Sequence, residues 1–124
     1  MNLEDMATPW TQHLRLALLR ALASGDECPG AKGHESLLTD LVNAVHIAAE
    51  RPQVRDQLLW LHKEALVAAD IVSGAVVATL LPGGRDVAEG RRVHTGVKQP
   101  NMADSLKSLT TLQAALLKPL RPAD

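Results

Sequence analysis

Residues 52–81, PQVRDQLLWLHKEALVAADIVSGAVVATLL, change their apolar period once, and that change leaves few folds open to the chain. Val54, Leu58 and Leu61 recur at i, i+4 and i+7, the apolar face of one helix. Pro52 suits the first helical turn, where the amide it lacks has no intrahelical partner. After Ala65 the period becomes two: Val67, Ala69 and Ile71 face one way, Ala68 and Asp70 the other. Ser73-Gly74 supplies a two-residue turn, with glycine free to take positive φ. Residues 76–81 then read as the partner strand, closed by Pro82-Gly83-Gly84.

Upstream, Thr8-Pro9 opens a helix, with Thr8 as N-cap and Pro9 at its first position. Leu14, Leu18 and Leu22, reinforced by Ala17 and Ala21, form its apolar stripe, while Arg15 and Arg20 fall outside. Ser24-Gly25 stops it, and residues 25–33, GDECPGAKG, are loop by every punctuation signal. Around His34-Glu35 there is room for a short strand, though too few residues to decide. Ser36 is the expected N-cap of a second helix, whose face is Leu37, Leu38, Leu41, Val42 and Val45. Glu50-Arg51-Pro52 turns the chain into the third helix. Residues 83–90 read as a brief helix ending at Gly90, and residues 91–101 as a loop rich in cations. Met102 opens a last helix with Leu106, Leu109, Leu112 and Leu116 on one face.

Three helices that feed a hairpin are the order of a winged helix-turn-helix domain. The expected class is therefore α+β, mainly helical, with the hairpin as wing and an additional C-terminal helix. Its divisions are a frayed N-terminus at residues 1–8, the winged-helix domain at 9–98, and a C-terminal amphipathic helix and tail at 99–124.

Composition narrows the class of function. Apolar residues make up 46% of the 124, enough for a folded core rather than a disordered chain. With two Trp and no Phe or Tyr, that core has to be Leu, Val and Ala. A formal charge of −1 disfavours strong non-specific adhesion to nucleic acid or acidic lipid. No apolar run approaches the roughly 20 residues that span a bilayer, and the acidic start MNLEDMATPW is unlike a secretory signal. The lone Cys28 allows no internal disulfide framework. A soluble protein of the bacterial cytoplasm, without a membrane partner, is expected.

Two likenesses add to this reading. VRDQLLWLHKEALV, residues 54–67, resembles the recognition-helix segment of bacterial winged-helix regulators of the ArsR and MarR types. Ala65 stands where those families place Gly, which implies a less unusual backbone there. ATLLPGGRDVAEG is similar to the end of their wing, with residues 80–84 in that role. More narrowly, HLRLALLRAL, ESLLTDLVNAV, QVRDQLLWL and VATLLPGGRDVAEGR together resemble a small protein family of Mu-like transposable phages and prophages. The likeness covers residues 12–98 and implies a fold and a phage setting, with gene control as the function usually inferred.

In a winged helix the third helix enters the major groove and its outward side chains meet bases and phosphates. Here the outward set is Gln53, Arg55, Asp56, Leu59, Trp60 and Lys63. Gln53 and Arg55 suit adenine and guanine, whereas Asp56 opposes phosphate. Residues 66–81 contain no Lys or Arg. The cations cluster later, at Arg85, Arg91, Arg92 and Lys98, which read either as a DNA-facing loop with Lys63 nearby or as ordinary solvated charge. Trp60 packs sideways on the first helix or, with Leu59, anchors a partner.

The leading expectation is a phage transcriptional regulator that binds double-stranded DNA as a homodimer. The alternative is a protein-interaction module that keeps the fold without DNA and meets a phage or host protein. Leu106, Leu109, Leu112 and Leu116 either pair two copies or bury against the same chain's first helix. Cys28 with five His offers no metal-ligand spacing. Gly30-Ala31-Lys32-Gly33 is not a phosphate loop, and no nucleophile–base spacing occurs. No enzyme, metal or cofactor is expected.

Overall fold

The structure, a computed structural model, describes residues 8–100. The expected helix at 102–118, with Leu106, Leu109, Leu112 and Leu116, lies outside the described residues, as do residues 1–7.

Helix α1 (Pro9–Ala23) begins as the sequence indicates: the Thr8 hydroxyl accepts from the Thr11 amide at 3.2 Å, and Pro9 fills the first turn. Its buried face is wider than the Leu14–Leu18–Leu22 stripe. Leu16 and Leu19 are also buried, and so is Arg15, which was expected outside. A 3₁₀ turn (Pro29–Ala31) leads into strand β1 (Lys32–His34), the short strand that residue types alone left undecided. Gly33 lets this strand approach closely, since a Cβ there would lie 3.1 Å from the Leu38 side chain and 3.3 Å from Cys28 Sγ.

Helix α2 (Glu35–Ala44) is capped by His34, whose Nδ1 accepts from the Ser36 amide at 3.0 Å, and not by Ser36. The helix starts one residue before Ser36, which places that residue inside the first turn. Its buried positions are Glu35, Leu38 and Val42. Leu37 and Val45, expected inward, are 37% and 61% exposed. A left-handed residue, His46, turns the chain toward helix α3 (Arg51–Lys63). The Glu50 amide donates to Gln53 Oε1 at 2.8 Å, satisfying a donor at that helix start. Val54, Leu58 and Leu61 form its buried face, as the period requires.

Two bonds close α3 in the Schellman pattern, from the Leu66 amide to the Leu61 carbonyl and from the Ala65 amide to the His62 carbonyl, both 3.0 Å. That geometry sets Ala65 at φ +59°. The departure from Gly at this position therefore leaves the unusual backbone in place and puts an alanine on it. Strand β2 (Val67–Val72) follows, then Ser73-Gly74 with φ of +51° and +80°, then strand β3 (Ala75–Leu80). Two positive φ angles make a type I′ turn, whose twist matches that of the strands it joins.

The sheet is antiparallel in the order β1-β3-β2, with Val67 opposite Leu80 and His34 opposite Val77. Helix α4 (Pro82–Ala88) starts at Pro82, one residue earlier than expected, and Gly90 past its end takes φ +81°. Gly84 is required by space: a Cβ there would fall 2.0 Å from the Leu66 carbonyl oxygen. The chain then returns to α1, where the Lys98 amide donates to the Gln12 carbonyl at 3.2 Å.

Four helices and three antiparallel strands thus enclose one core among the described residues. Leu14, Leu18, Leu19 and Leu22 of α1 meet Leu38 and Val42 of α2 and the three α3 residues, with Leu66, Val67 and Val76 closing the sheet side. Each fully buried leucine contributes roughly 1.5–3 kcal/mol relative to exposure, so the leucines dominate cohesion.

The left-handed alanine yields a direct test. An L side chain in that region costs about 1–2 kcal/mol, which glycine largely avoids. Ala65→Gly is expected to stabilise the protein by roughly 0.5–1 kcal/mol after the added flexibility of the unfolded chain is offset, which raises the urea midpoint. A lowered midpoint contradicts the helix stop described here.

Candidate functional site

The face formed by α3 and the hairpin is built on one buried carboxylate. Glu35, at the first position of α2, has a fully buried side chain. Arg51 Nε donates to its Oε2 at 2.8 Å, Arg55 donates from Nε at 3.1 Å and from Nη2 at 3.0 Å, and the Val76 amide of β3 donates to Oε1. Arg51 and Arg55 lie one turn apart, so both reach it from the same face of α3. Arg55 Nη2 also approaches the Gly74 carbonyl in the hairpin turn, at 3.5 Å.

Burial pushes the Glu35 carboxyl up. The hydrogen bonds from Arg55, Val76 and Arg51 outweigh that and bring it down to about 2. The same contact raises Arg55. Both arginines keep an outer side in water, with side chains 48% and 44% exposed.

A second cluster anchors the opposite side of α3. Arg15 of α1 lies 3.6 Å over the Trp60 ring and donates to Gln57 Oε1 at 2.8 Å and to the Gly96 carbonyl at 2.9 Å. Burial lowers its pKa while Glu64 acts in the other direction. His94 meets Trp60 edge-on at 5.3 Å and faces Glu64 at 3.3 Å. A Cβ on Gly96 would lie 2.5 Å from the Trp60 ring, so only glycine lets the returning loop lie this close to Trp60. Trp60 is consequently packed sideways against the first helix and half-buried.

The other sequence-selected residues are dispersed. Gln53 is exposed but its Oε1 is engaged at the α3 start. Lys63 and Leu59 are exposed, and with Pro52 and Asp56 they follow the outermost line of the helix at spacings of four, three and four. Arg85 and Arg91 converge on Glu89, and Arg91 also holds Asp86 at 2.8 Å, which raises Arg91. Arg92 lies beside Gly83 at the start of α4, and Lys98 stands by α1. Two of the four later cations, Arg85 and Arg91, are thus matched by Asp86 and Glu89, while Arg92 and Lys98 sit at different elements.

Ile71 and Val72, at the hairpin end, are 71% and 54% exposed. His62 Nδ1 accepts from the Ala69 amide at 3.1 Å, which ties α3 to β2. No three His, Cys, Asp or Glu among the described residues are grouped to hold a metal ion. No described helix is long and apolar enough to cross a membrane.

Sequence reasoning missed Glu35, Arg51 and Arg15. Arg51 and Arg55 at i and i+4 were the available signal, since two cations on one face share one acceptor well. Arg15 had its own signal, because it interrupts a dense run of leucines.

The protein is similar to the uncharacterized protein gp26 of Escherichia phage Mu, with 39% identity over 90 residues, 73% of this chain and 90% of that protein. No family model and no solved structure matches.

The depressed Glu35 pKa predicts the pH dependence of stability. A carboxyl held down in the folded state stabilises fully above its ordinary value near 4.5 and loses that contribution as pH falls toward about 2. Glu35→Gln keeps an acceptor for Val76 but removes the charge, so it should cost about 2 kcal/mol at pH 7. Urea titrations across pH should show the difference from wild type shrinking between pH 4.5 and 2. A difference that stays constant through that window contradicts the assignment.

Proposed function

The chain belongs to the family of the phage Mu protein gp26, and on that footing we propose that it is a winged-helix module of a Mu-like transposable phage that docks onto protein. The order of elements supports the fold reading: helix, short strand, two helices and a hairpin, with the short strand beside the second hairpin strand. The observation that carries the docking reading is the character of the outer α3 ridge and the hairpin end. Pro52, Asp56, Leu59 and Lys63 form that ridge, so its one cation is balanced by one acid. Ile71 and Val72 stand where a phosphate-gripping wing needs Lys or Arg. Neutralising several phosphates requires several cations on one side. A complementary apolar stripe on a phage or host protein suits this surface better, with Leu59 as its anchor.

Duplex DNA is the second reading, favoured by the half-exposed outer sides of Arg51 and Arg55 beside the hairpin. In that reading the protein is a homodimeric transcriptional regulator, with Gln53, Arg55 and Lys63 toward the groove. Neither reading assigns it an enzymatic activity.

Two measurements on the full chain separate them. Fluorescence anisotropy with random and phage-derived duplexes at low salt should give no affinity tighter than about 10⁻⁴ M, the weak end of non-specific binding. Affinity capture from infected cells should retain a protein partner, and Leu59→Glu should reduce the yield at least tenfold. A duplex bound at about 1 μM and lost in Lys63→Ala overturns the docking reading in favour of DNA.

A further inference from the structure

A groove of about 500 Å³ runs between α1 and the end of α2, on the far side of α1 from Arg15 and Trp60. Leu16, Ala17 and Ala21 line one wall, Leu41 and Ile47 the other, and Val45, 61% exposed, stands at its lip. Apart from His13, Arg20, Ser24 and Glu27, this is apolar surface that the helices of the described core leave uncovered. Val45 belongs to the sequence's predicted buried face of α2, so the pattern marks it for a contact that residues 8–100 do not provide.

We infer that the groove is the seat of this chain's own residues 102–118. Three observations carry the assignment, and none depends on what α3 binds. The first is where the described chain ends. The Lys98 amide is bonded to the Gln12 carbonyl, next to His13, which lines the groove, and Pro100 follows two residues later. Leu106 is six residues beyond Pro100, a reach of up to ~20 Å for extended chain.

The second is length. Groove-lining residues on α1 run from His13 to Ser24, a rise of about 17 Å at 1.5 Å per residue. Leu106 to Leu116, at helical spacing, spans about 15 Å on the same basis. The third is chemistry. Leu106, Leu109, Leu112 and Leu116 fall on one helical face, and Asp104, Lys107, Thr111 and Lys118 fall opposite. Such a helix covers an apolar groove with its leucines and returns a charged surface to water. Tethering by a short connection raises the local concentration of the segment to the millimolar range, which favours the same chain over a second copy.

The test uses the full-length protein carrying Thr111→Cys with a nitroxide label, Thr111 being on the polar face. The native Cys28 is fully buried and stays unlabelled. The methyl resonances of Val45 and Ile47 are read in two samples. In one, nitroxide and isotope share a chain that is diluted into unlabelled protein. In the other they are on different chains. The expected result is at least a twofold loss of both methyl intensities in the first sample and none in the second. Leu112→Asp, and Val45→Asp at an exposed position, should each restore the intensity still observable, with urea midpoints confirming the fold. Broadening confined to the second sample overturns the inference in favour of a second copy. No broadening in either sample overturns it altogether and leaves the groove to a small ligand or another protein.

Discussion

The carboxylate of Glu35 is the constraint on which the rest of this structure depends. It is the meeting point of three elements that are far apart in sequence: the start of α2, one face of α3 and the start of strand β3. Burying an isolated carboxylate is prohibitive, so the position is tolerable only because two guanidinium groups and a backbone amide complete it. The same arrangement fixes the hairpin against α3. Leucine packing supplies cohesion without direction, whereas this cluster specifies the angle at which the hairpin stands. On the opposite flank Arg15, stacked on Trp60 and bonded to Gln57 and Gly96, pins α3 to α1 and to the returning loop.

That division of labour bears on function. A cation committed to a buried acid presents only its outer edge, and a glutamine engaged at a helix start is partly spent. Arg55 and Gln53 are both in this position, and Arg91 is matched by Asp86 and Glu89. The side chains left on the outer ridge of α3 and at the hairpin end are mixed and apolar. A surface of this kind offers shape and apolar pattern rather than a row of cations matched to phosphates.

The fold was largely legible where period and turn chemistry agree. Val54, Leu58 and Leu61, the change of period after Ala65, and Ser73-Gly74 are all found as read. Strand β1 was ambiguous because three residues carry no period, and only pairing with β3 defines it. Ala65 concealed its left-handed backbone because alanine is no signal for it; the Schellman bonds impose the geometry instead. Glu35 was invisible for a different reason. An acid in the first turn of a helix is ordinary, and nothing local reveals that two arginines 16 and 20 residues later will enclose it. Arg15 reads as exposed from its charge, although an aromatic ring and two acceptors accommodate it inside. Polar positions determined by long-range partners are thus the part of the candidate site that periodicity does not encode.

The central claim is that Glu35 and Arg55 act as a unit that joins α2, α3 and the hairpin. A double-mutant cycle measures this most directly, with Glu35→Gln, Arg55→Ala and the double variant unfolded in urea at neutral pH. Independent sites add to within about 0.3–0.5 kcal/mol, whereas members of one charged network couple more strongly. A coupling energy of at least ~1 kcal/mol is expected, with the double variant less destabilised than the sum of the two single ones. Strict additivity would contradict it, because Glu35 and Arg55 would then contribute independently rather than as one unit joining α3 to the hairpin.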